Sequence, residues 1–380
     1  LKEFRQKLSN ALEGRDEIGL ELHRLWILID LGIAVALGML SDACQIFKHG
    51  LDALDKYDFR EWLLDNLASE ANAWSAPVQG VYDLVFAYEK GDSSRPNLAA
   101  GVAMRIFFRV GLGYKGAIAY KMQAGMGDTV FTPLYKLLQH RGVKFAFFNR
   151  VDDLKLSPDQ LLIQEIHIGV QATLTDHAKK HNPRGEYDPL HPVKGLPCWP
   201  SEPLYCQLRE GDELKDGGYD LESPWTDWGD PGHRTLKLGE DFDCVVLGIS
   251  LAAIANVGSE LIEHSSAWTN LIANVQTVQT QAYQLWMNHD SASMGWHANE
   301  RNLWTAYPDS GADMSDLIPK EDLPQEYDVK NITYYVRQLK DADHIPHPGP
   351  DPSFPESQKA RVQENAIEFL NEQIKPLWPD

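Results

Sequence analysis

The sequence has little cysteine and little positive charge, and each shortage excludes a class of protein. Four cysteines among 380 residues are too few and too scattered for a disulfide framework or a zinc knuckle. Free thiols are typical of a reducing compartment, so we expect a cytoplasmic protein. Acidic residues outnumber basic ones by 55 to 35, and 34 of the acidic residues lie in 171–380. No cluster of positive charge is present to meet phosphates, so we expect no nucleic-acid partner.

The sequence also lacks a signal-peptide core and an apolar run long enough to cross a membrane. It begins Leu-Lys-Glu-Phe-Arg, without an initiator methionine, as a mature or excised fragment would. The longest apolar stretch, residues 25–40, is shorter than the ~20 residues of a membrane span. Asp30 lies within it, and a carboxylate in the bilayer centre costs a few kcal/mol. We therefore predict a buried helix here and no membrane span.

Length and hydrophobic periodicity predict two or three packed units of α+β class. Residues 1–120 read as mainly helical, and Asp58 is placed to cap a helix. A glycine turn at 125–129 leads into a helix that Gly142 ends, and a last amphipathic helix is expected at 357–374 after a stiff linker at 345–355. Eight prolines exclude long regular elements from 171–240. We predict strands at residues 143–151, 161–170, 243–249, 275–287 and 334–336, of which 243–249 is the most convincing buried strand.

Three short motifs offer alternative chemistry. Residues 111–116 form a GxGxxG, but Arg105 and Arg109 before it are spaced as on a helix, whereas a phosphate loop follows a buried strand. Ser250, in Gly-Ile-Ser-Leu-Ala, resembles a hydrolase nucleophile elbow that Asp290 with His297 or His344 could complete. His177 and His181 are one helical turn apart in a segment that reads as a solvated loop, and we predict no metal site.

Two segments resemble the flavin amine oxidase and phytoene desaturase superfamily. Residues 125–151 (GMGDTVFTPLYKLLQHRGVKFAFFNRV) are similar to its Gly-Met-Gly turn, helix and adenine-side strand, and 242–250 (FDCVVLGIS) to its return strand. Three shorter segments, 58–63, 194–203 and 312–317, resemble a group of large, poorly characterised bacterial FAD-dependent oxidoreductases. The resemblance implies FAD as cofactor and a substrate domain of helices and mixed sheet, interleaved with part of a Rossmann-like FAD domain.

The resemblance also implies site residues, although no catalytic residue is indicated. The residues implied to contact FAD are Gly125, Met126, Gly127, Asp128, Val151 and Ser250. Those implied to contact the substrate are Thr129, Gln281 and Trp286. Flavin carries the redox chemistry in such enzymes, so the protein need supply only orientation and exclusion of water. No lysine lies near 279–281, where amine-oxidising relatives tend to have one, and this disfavours amine oxidation.

The chain resembles an internal segment of these enzymes, without their N-terminal GxGxxG loop and C-terminal Gly-Asp segment. The regions we expect are a helical substrate-side region (1–120), a partial FAD-domain segment (121–170), a proline-rich excursion (171–240), the return strand (241–258), a substrate-domain sheet (259–344), and a linker with the last helix (345–380).

The sequence therefore predicts a fragment or subunit of an FAD-dependent oxidoreductase that oxidises or desaturates a small apolar or aromatic molecule, completed by missing segments or a second chain. The alternatives are a cofactor-free companion subunit and a serine hydrolase. If the resemblance holds, 143–151, 161–170 and 243–249 lie near one another, and 275–287 belongs to a different sheet.

Overall fold

A computed structural model of the chain describes residues 18–116, 120–296, 302–304 and 310–375, with side chains from residue 22 onward and backbone alone at 302–304. Helices are combined with sheets, which confirms the α+β class. The sheets in these ranges are antiparallel, so the expectation of a mixed sheet is wrong for the described part. The one parallel pairing there is the isolated bridge between Leu238 and Phe242.

The first region is helical, as predicted. It contains α1 (Ile18–Ser41), α2 (Ala43–His49), α3 (Phe59–Asp65), α4 (Glu70–Ala73), α5 (Ala76–Leu84) and α6 (Ala100–Ile106), with short 3-10 turns at Gly50–Leu54 and Glu89–Gly91. Its core is built around the buried side chains of Leu54, Trp62, Leu63, Tyr82 and Met104. Asp58 caps α3 as predicted, because its carboxylate accepts the backbone N–H groups of Arg60 and Glu61.

Helix α1 packs through one stripe only, so the prediction of a buried helix is wrong for its outer face. Trp26, Asp30 and Ala34, each four residues apart, are 7%, 0% and 1% exposed. Leu25 and Leu28 are more than half exposed. By length and composition, Leu22–Ser41 is the one described helix that could cross a membrane, and 22% of its apolar stretch is buried inside the protein.

The buried carboxylate of Asp30 attaches α1 to α4. Its Oδ2 accepts hydrogen bonds from the Ser69 backbone N–H at 3.0 Å, the Ser69 hydroxyl at 3.1 Å and the Asn72 side-chain amide at 2.7 Å. A charge can remain in the core of a protein only when it is paired or hydrogen-bonded in this way. The single acidic residue in the apolar stretch is therefore a packing contact between two helices.

The middle of the chain forms an antiparallel sheet in the order β1–β2–β5, from Asn149–Leu156, Ile163–Val170 and Gly232–Lys237. The strand predicted at 161–170 is confirmed from Ile163. The strand predicted at 143–151 is wrong for 143–148, which lie outside the ladder. Phe145 and Phe147 pack instead against Tyr135 of α7 (Thr132–His140). Strand β5 was not predicted, because it lies in the proline-rich excursion.

The segment 243–249 is the largest departure from the sequence-based prediction. It has no strand ladder within the described residues, and Val246 is 91% exposed. The segment does lie beside β1 and β2, as expected. Its Val245 and Leu247 line one cavity together with Leu156 of β1 and Ile163 of β2. A strand needs a neighbour to satisfy its backbone groups, and an apolar run in the sequence does not supply one.

The second sheet has the order β6–β9–β8–β7, from Gln279–Met287, Asn331–Leu339, Ser310–Asp313 and Asn302–Trp304. The strands predicted at 275–287 and 334–336 are confirmed within β6 and β9, and β6 belongs to a different sheet from β1 and β2. The last helix, α13 (Ser353–Glu372), is also confirmed. Its Phe369 is 1% exposed and packs against Tyr335 of β9.

Short elements join these parts of the fold. They are the hairpin strands β3 (His191–Val193) and β4 (Leu196–Cys198), and the helices α8 (Asp176–His181), α9 (Gly211–Gly217), α10 (Leu251–Val257), α11 (Ser259–His264) and α12 (Ser266–Asn274). Helices α10 and α11 pack against β1. His177 and His181 lie on α8, where a loop was predicted; their rings stack with centroids 4.2 Å apart.

We predict that Asp30→Leu lowers the free energy of unfolding by about 3 kcal/mol, because it leaves the donors on Ser69 and Asn72 without an acceptor. Urea denaturation of the purified chain measures the change. The exposed Asp65 at the end of α3 provides the matched control, since Asp65→Leu removes a carboxylate with no such buried donors. Equal losses for the two variants would contradict a specific role for Asp30.

Candidate functional site

Two threonine hydroxyl groups form hydrogen bonds with glycine carbonyls of the 125–129 turn. The Thr129 hydroxyl donates to the carbonyl of Gly125 at 3.1 Å, and the Thr132 hydroxyl donates to that of Gly127 at 3.2 Å. The predicted turn is itself helical from Met126, because the π-helical segment Gly127–Phe131 begins inside it and runs directly into α7. Single π turns are frequent at functional sites, and the sequence did not indicate this one.

Asp128 joins the turn to the β3–β4 hairpin, 70 residues further along the chain. Its Oδ1 accepts the backbone N–H of Trp199 at 2.9 Å. The hairpin turns through Lys194 and Gly195, both at positive φ, which matches the two-residue turns that glycine favours. The structure thus brings together the 125–151 and 194–203 segments, which the family resemblance had identified separately.

Cys198 is buried beside the hydrogen bond between Asp128 and Trp199. Burial is the main reason that the pKa of its thiol is raised, and the neighbouring Asp128 carboxylate raises it further. The other three cysteines are exposed. A thiol of this kind is a poor nucleophile near neutral pH, because the thiolate is the reactive form.

The two glycines of the turn differ in how tightly a side chain would fit. A Cβ at Gly125 would lie 3.1 Å from Oδ2 of Asp128, at the end of a flexible side chain, and one at Gly127 would lie at an ordinary contact distance of 3.4 Å from Cδ1 of Trp199. The approach of the hairpin therefore does not by itself require glycine at either position.

Two lysines attach this region to the sheet that contains the predicted substrate residues. Lys121 Nζ donates to the Asp313 carbonyl at 2.7 Å and forms an ion pair with Asp316 at 3.2 Å. Lys194 Nζ donates to the carbonyls of Pro319 and Glu321. Lys121 and the hairpin that Asp128 contacts therefore connect this region with the loop after β8.

The other predicted cofactor residues lie on separate elements. Val151 is on β1 and is 39% exposed, and Ser250 precedes α10, which packs against β1. Among the described residues, no hydrogen bond or ion pair joins either of them to the 125–129 turn. Ser250 has φ −58° and ψ 140°, an ordinary extended conformation without the strained geometry of a nucleophile elbow.

The two substrate residues predicted on β6 lie on opposite faces of the sheet. Gln281 and Trp286 are five positions apart, and strand side chains alternate between faces. Gln281 is 3% exposed and accepts a hydrogen bond from Asn365 of α13, whereas Trp286 is 46% exposed. A small molecule lying on one face of the sheet therefore cannot contact both side chains.

The described residues fit only the margin of an FAD site. Met126, Val151 and Ser250 are exposed and could contact a cofactor. Asp128 is engaged by the hairpin, so it is poorly placed to accept a ribose hydroxyl. The GxGxxG at 111–116 begins in a π-helical segment, Phe107–Leu112, that continues α6, so it does not follow a strand. In the described ranges no glycine loop is suited to a pyrophosphate.

An ionic cluster around Arg150 was not indicated by the sequence. Arg150 forms ion pairs with Asp152 and Asp230, each at 2.6 Å, directly over Gly169, where a Cβ would lie 2.3 Å from Asp230. Asp152, Asp230 and His233 offer atoms within 4.8 Å of one another, which resembles a metal ligand set. The guanidinium already binds both carboxylates, so the cluster connects β1 with the start of β5.

A cavity of about 600 Å³ lies between the β1–β2 hairpin, α11, α12 and the 243–249 segment. Its walls are mostly apolar, with Leu156, Phe242, Leu247 and Trp268 among them, and His264 provides a polar group. A volume of this size is in the range of small-molecule sites. Its rim is exposed and apolar at Leu161, which is 78% exposed.

No protein-family model matches the chain, and neither a curated protein nor a solved structure matches it. The resemblance to FAD-dependent oxidoreductases therefore stays a prediction from the residues that carry it.

We predict that Cys198 is alkylated more slowly than Cys44, Cys206 and Cys244 at pH 8, on the order of tenfold for each unit by which its pKa is raised. Its rate should rise toward that of the others only at higher pH, where the thiolate forms. Iodoacetamide labelling with peptide mass spectrometry measures the four rates.

Asp128→Ala should accelerate alkylation of Cys198 specifically, because it removes both the carboxylate and the acceptor that holds the hairpin. Asp128→Asn is the matched control, since it removes the charge but can keep the hydrogen bond to Trp199. Unchanged rates in Asp128→Ala would mean that the hairpin does not depend on this contact.

Proposed function

We propose that this chain forms the substrate-side region and part of the cofactor domain of an FAD-dependent oxidoreductase, completed by a dinucleotide-binding unit on the same or another polypeptide. The observation that carries the proposal is the exposed apolar segment 243–249. An unbroken apolar run is typical of a strand inside a parallel sheet, which is covered on both faces. Here Val246 is 91% exposed, and the run has no ladder within the described residues.

A second uncovered surface lies on α7 and supports the same interpretation. Leu134, Leu137 and Leu138 are between 37% and 48% exposed and recur at three- and four-residue spacing on this helix. A helix that presents apolar side chains outward is usually covered by another element. In the family resemblance, this helix and the 243–249 segment both belong to the cofactor domain, so one missing unit could cover both.

The junction at the 125–129 turn supports the substrate side of the proposal. The turn contacts the β3–β4 hairpin through Asp128, and the hairpin and Lys121 contact the loop after β8. A substrate held at this junction would lie between the second sheet and a cofactor on the partner unit. Its role would be to orient the substrate and to exclude water, because flavin supplies the redox chemistry.

The second candidate is a companion subunit of the same fold that binds no cofactor. It is favoured by the hydrogen bond that engages Asp128 with the hairpin. It predicts the same partner surface but no flavin. The serine hydrolase is favoured by no observation at Ser250.

The test is an absorbance scan from about 300 to 550 nm of natively purified protein, where bound flavin absorbs, with intact-mass analysis of every co-purifying chain. We expect flavin bands together with a polypeptide that carries a glycine loop. A colourless complex of two chains would favour the companion subunit and overturn FAD binding. Labelling of Ser250 by a fluorophosphonate probe would favour the hydrolase instead.

We further predict that Val246→Asp prevents association with the completing unit while leaving the stability of the isolated chain within about 0.5 kcal/mol, because the side chain is exposed there. Co-purification and urea denaturation measure the two effects. Val246→Ile, which keeps the apolar branched side chain, should associate normally. Association of Val246→Asp at full strength would contradict the docking of this segment.

A further inference from the structure

Two histidines lie side by side on α8, in a segment that the sequence indicated as a solvated loop. His177 and His181 are four positions apart, and side chains at this spacing share one face of a helix. Their rings stack with centroids 4.2 Å apart and an angle of 26° between the ring planes. The sequence disfavoured a metal ion here because it indicated a loop, and the helix removes that reason.

Helix α8 is short, but contacts outside the histidine pair hold it in place. The Thr175 hydroxyl caps the helix by accepting the backbone N–H of Ala178 at 3.1 Å. Ala178 is 2% exposed, so one side of the helix lies against the rest of the fold. The guanidinium of Arg209 forms an ion pair with the Asp176 carboxylate in the first turn. The two imidazoles therefore stand on a backbone that is already positioned.

A hydrogen bond determines which nitrogen of His181 is available to a ligand. Its Nδ1 lies 2.9 Å from the backbone carbonyl oxygen of His177. A carbonyl oxygen can only accept, so Nδ1 carries the proton and the neutral ring has its lone pair on Nε2. Histidines that bind metal ions are commonly oriented in this way, with one nitrogen donating to a carbonyl and the other bound to the metal.

The ring of His177 is available as a second ligand. Within the described ranges, no hydrogen bond or ion pair engages this ring, and both histidines are exposed. Imidazole nitrogens bind zinc at about 2.0 Å, so two of them on one ion lie roughly 3 Å apart. Stacked rings with centroids 4.2 Å apart need only small side-chain rotations to reach that separation.

The donor set indicates the class of ion. Among the described residues, no third histidine, cysteine or carboxylate atom lies within 4.8 Å of both rings, and Asp176 is engaged by Arg209. Two imidazoles with the other positions left to water suit a divalent transition-metal ion, whereas Mg²⁺ and Ca²⁺ prefer oxygen ligands. Lys180, next to His181 in the chain, opposes a cation by its charge. Affinity must therefore come from coordination.

We propose that His177 and His181 bind a divalent transition-metal ion through their ring nitrogens, with Nε2 as the ligand atom of His181 and water completing the coordination. The site goes beyond the proposed oxidoreductase function, because it needs neither flavin nor a completing unit. A bound ion would link two side chains across one turn of α8. It would thereby stabilise the segment that joins β2 to the β3–β4 hairpin.

The experiment is calorimetric titration of the full chain with ZnCl₂ and, separately, with MgCl₂, after the exposed thiols have been alkylated so that they do not compete. We expect saturable binding of Zn²⁺ that is much tighter than any binding of Mg²⁺. His181→Ala should weaken Zn²⁺ binding on the order of a hundredfold, because two linked ligands gain at least that much from effective concentration. Added NaCl should not weaken binding to the unchanged protein, since salt screens surface attraction and not coordination.

The matched control combines Lys179→His with His181→Ala, which keeps two imidazoles on α8 but places them two positions apart on different sides of the helix. It should bind as weakly as His181→Ala, whereas His49→Gln, at an exposed position on α2, should bind normally. Full affinity in the combined variant, equal binding of Mg²⁺ or a failure of Zn²⁺ to saturate would each overturn the site. Thermal unfolding without metal verifies that each variant is folded. Because flavin is not measured, these results are independent of the proposed function.

Discussion

The candidate site depends on one hydrogen bond, from the backbone N–H of Trp199 to the carboxylate of Asp128. It connects a turn that leads into a helix with a hairpin 70 residues away, and the hairpin in turn reaches the second sheet through Lys194. Charge-assisted hydrogen bonds of this kind are stronger than those between neutral groups. The same carboxylate adds to burial in raising the pKa of the Cys198 thiol. Two segments that are distant in the sequence therefore meet at this contact.

The parts of the chain differ in how completely they bury their apolar side chains. The helical region encloses a core around Trp62 and Tyr82, and the second sheet is covered by α13 through Phe369. The segment 243–249 and the outer face of α7 are left uncovered. Exposed apolar surface is unfavourable in water, and contiguous patches usually mark a surface that another element covers. The helical region and the second sheet thus bury their own cores, and the uncovered surfaces lie on segments that the resemblance assigns to a cofactor domain.

Sequence reasoning found many of the components of the site but few of their contacts. The glycine turn, the helix after it and the 194–203 segment were each recognised, yet nothing in the sequence indicated that Asp128 would meet Trp199. Gln281 and Trp286 were expected to contact the same substrate, but strand alternation places them on opposite faces.

The α+β class, the helical first region, the cap at Asp58, strands β2, β6 and β9 and the last helix could be predicted from the sequence alone. These features depend on local periodicity and capping, which neighbouring residues decide. Contacts between distant segments established that Asp30 joins two helices, that 143–148 packs through aromatic side chains outside the ladder, and that 243–249 has no ladder within the described residues. An apolar run in a sequence indicates a tendency to be buried, but burial and strand pairing require a partner surface, which the run itself does not specify.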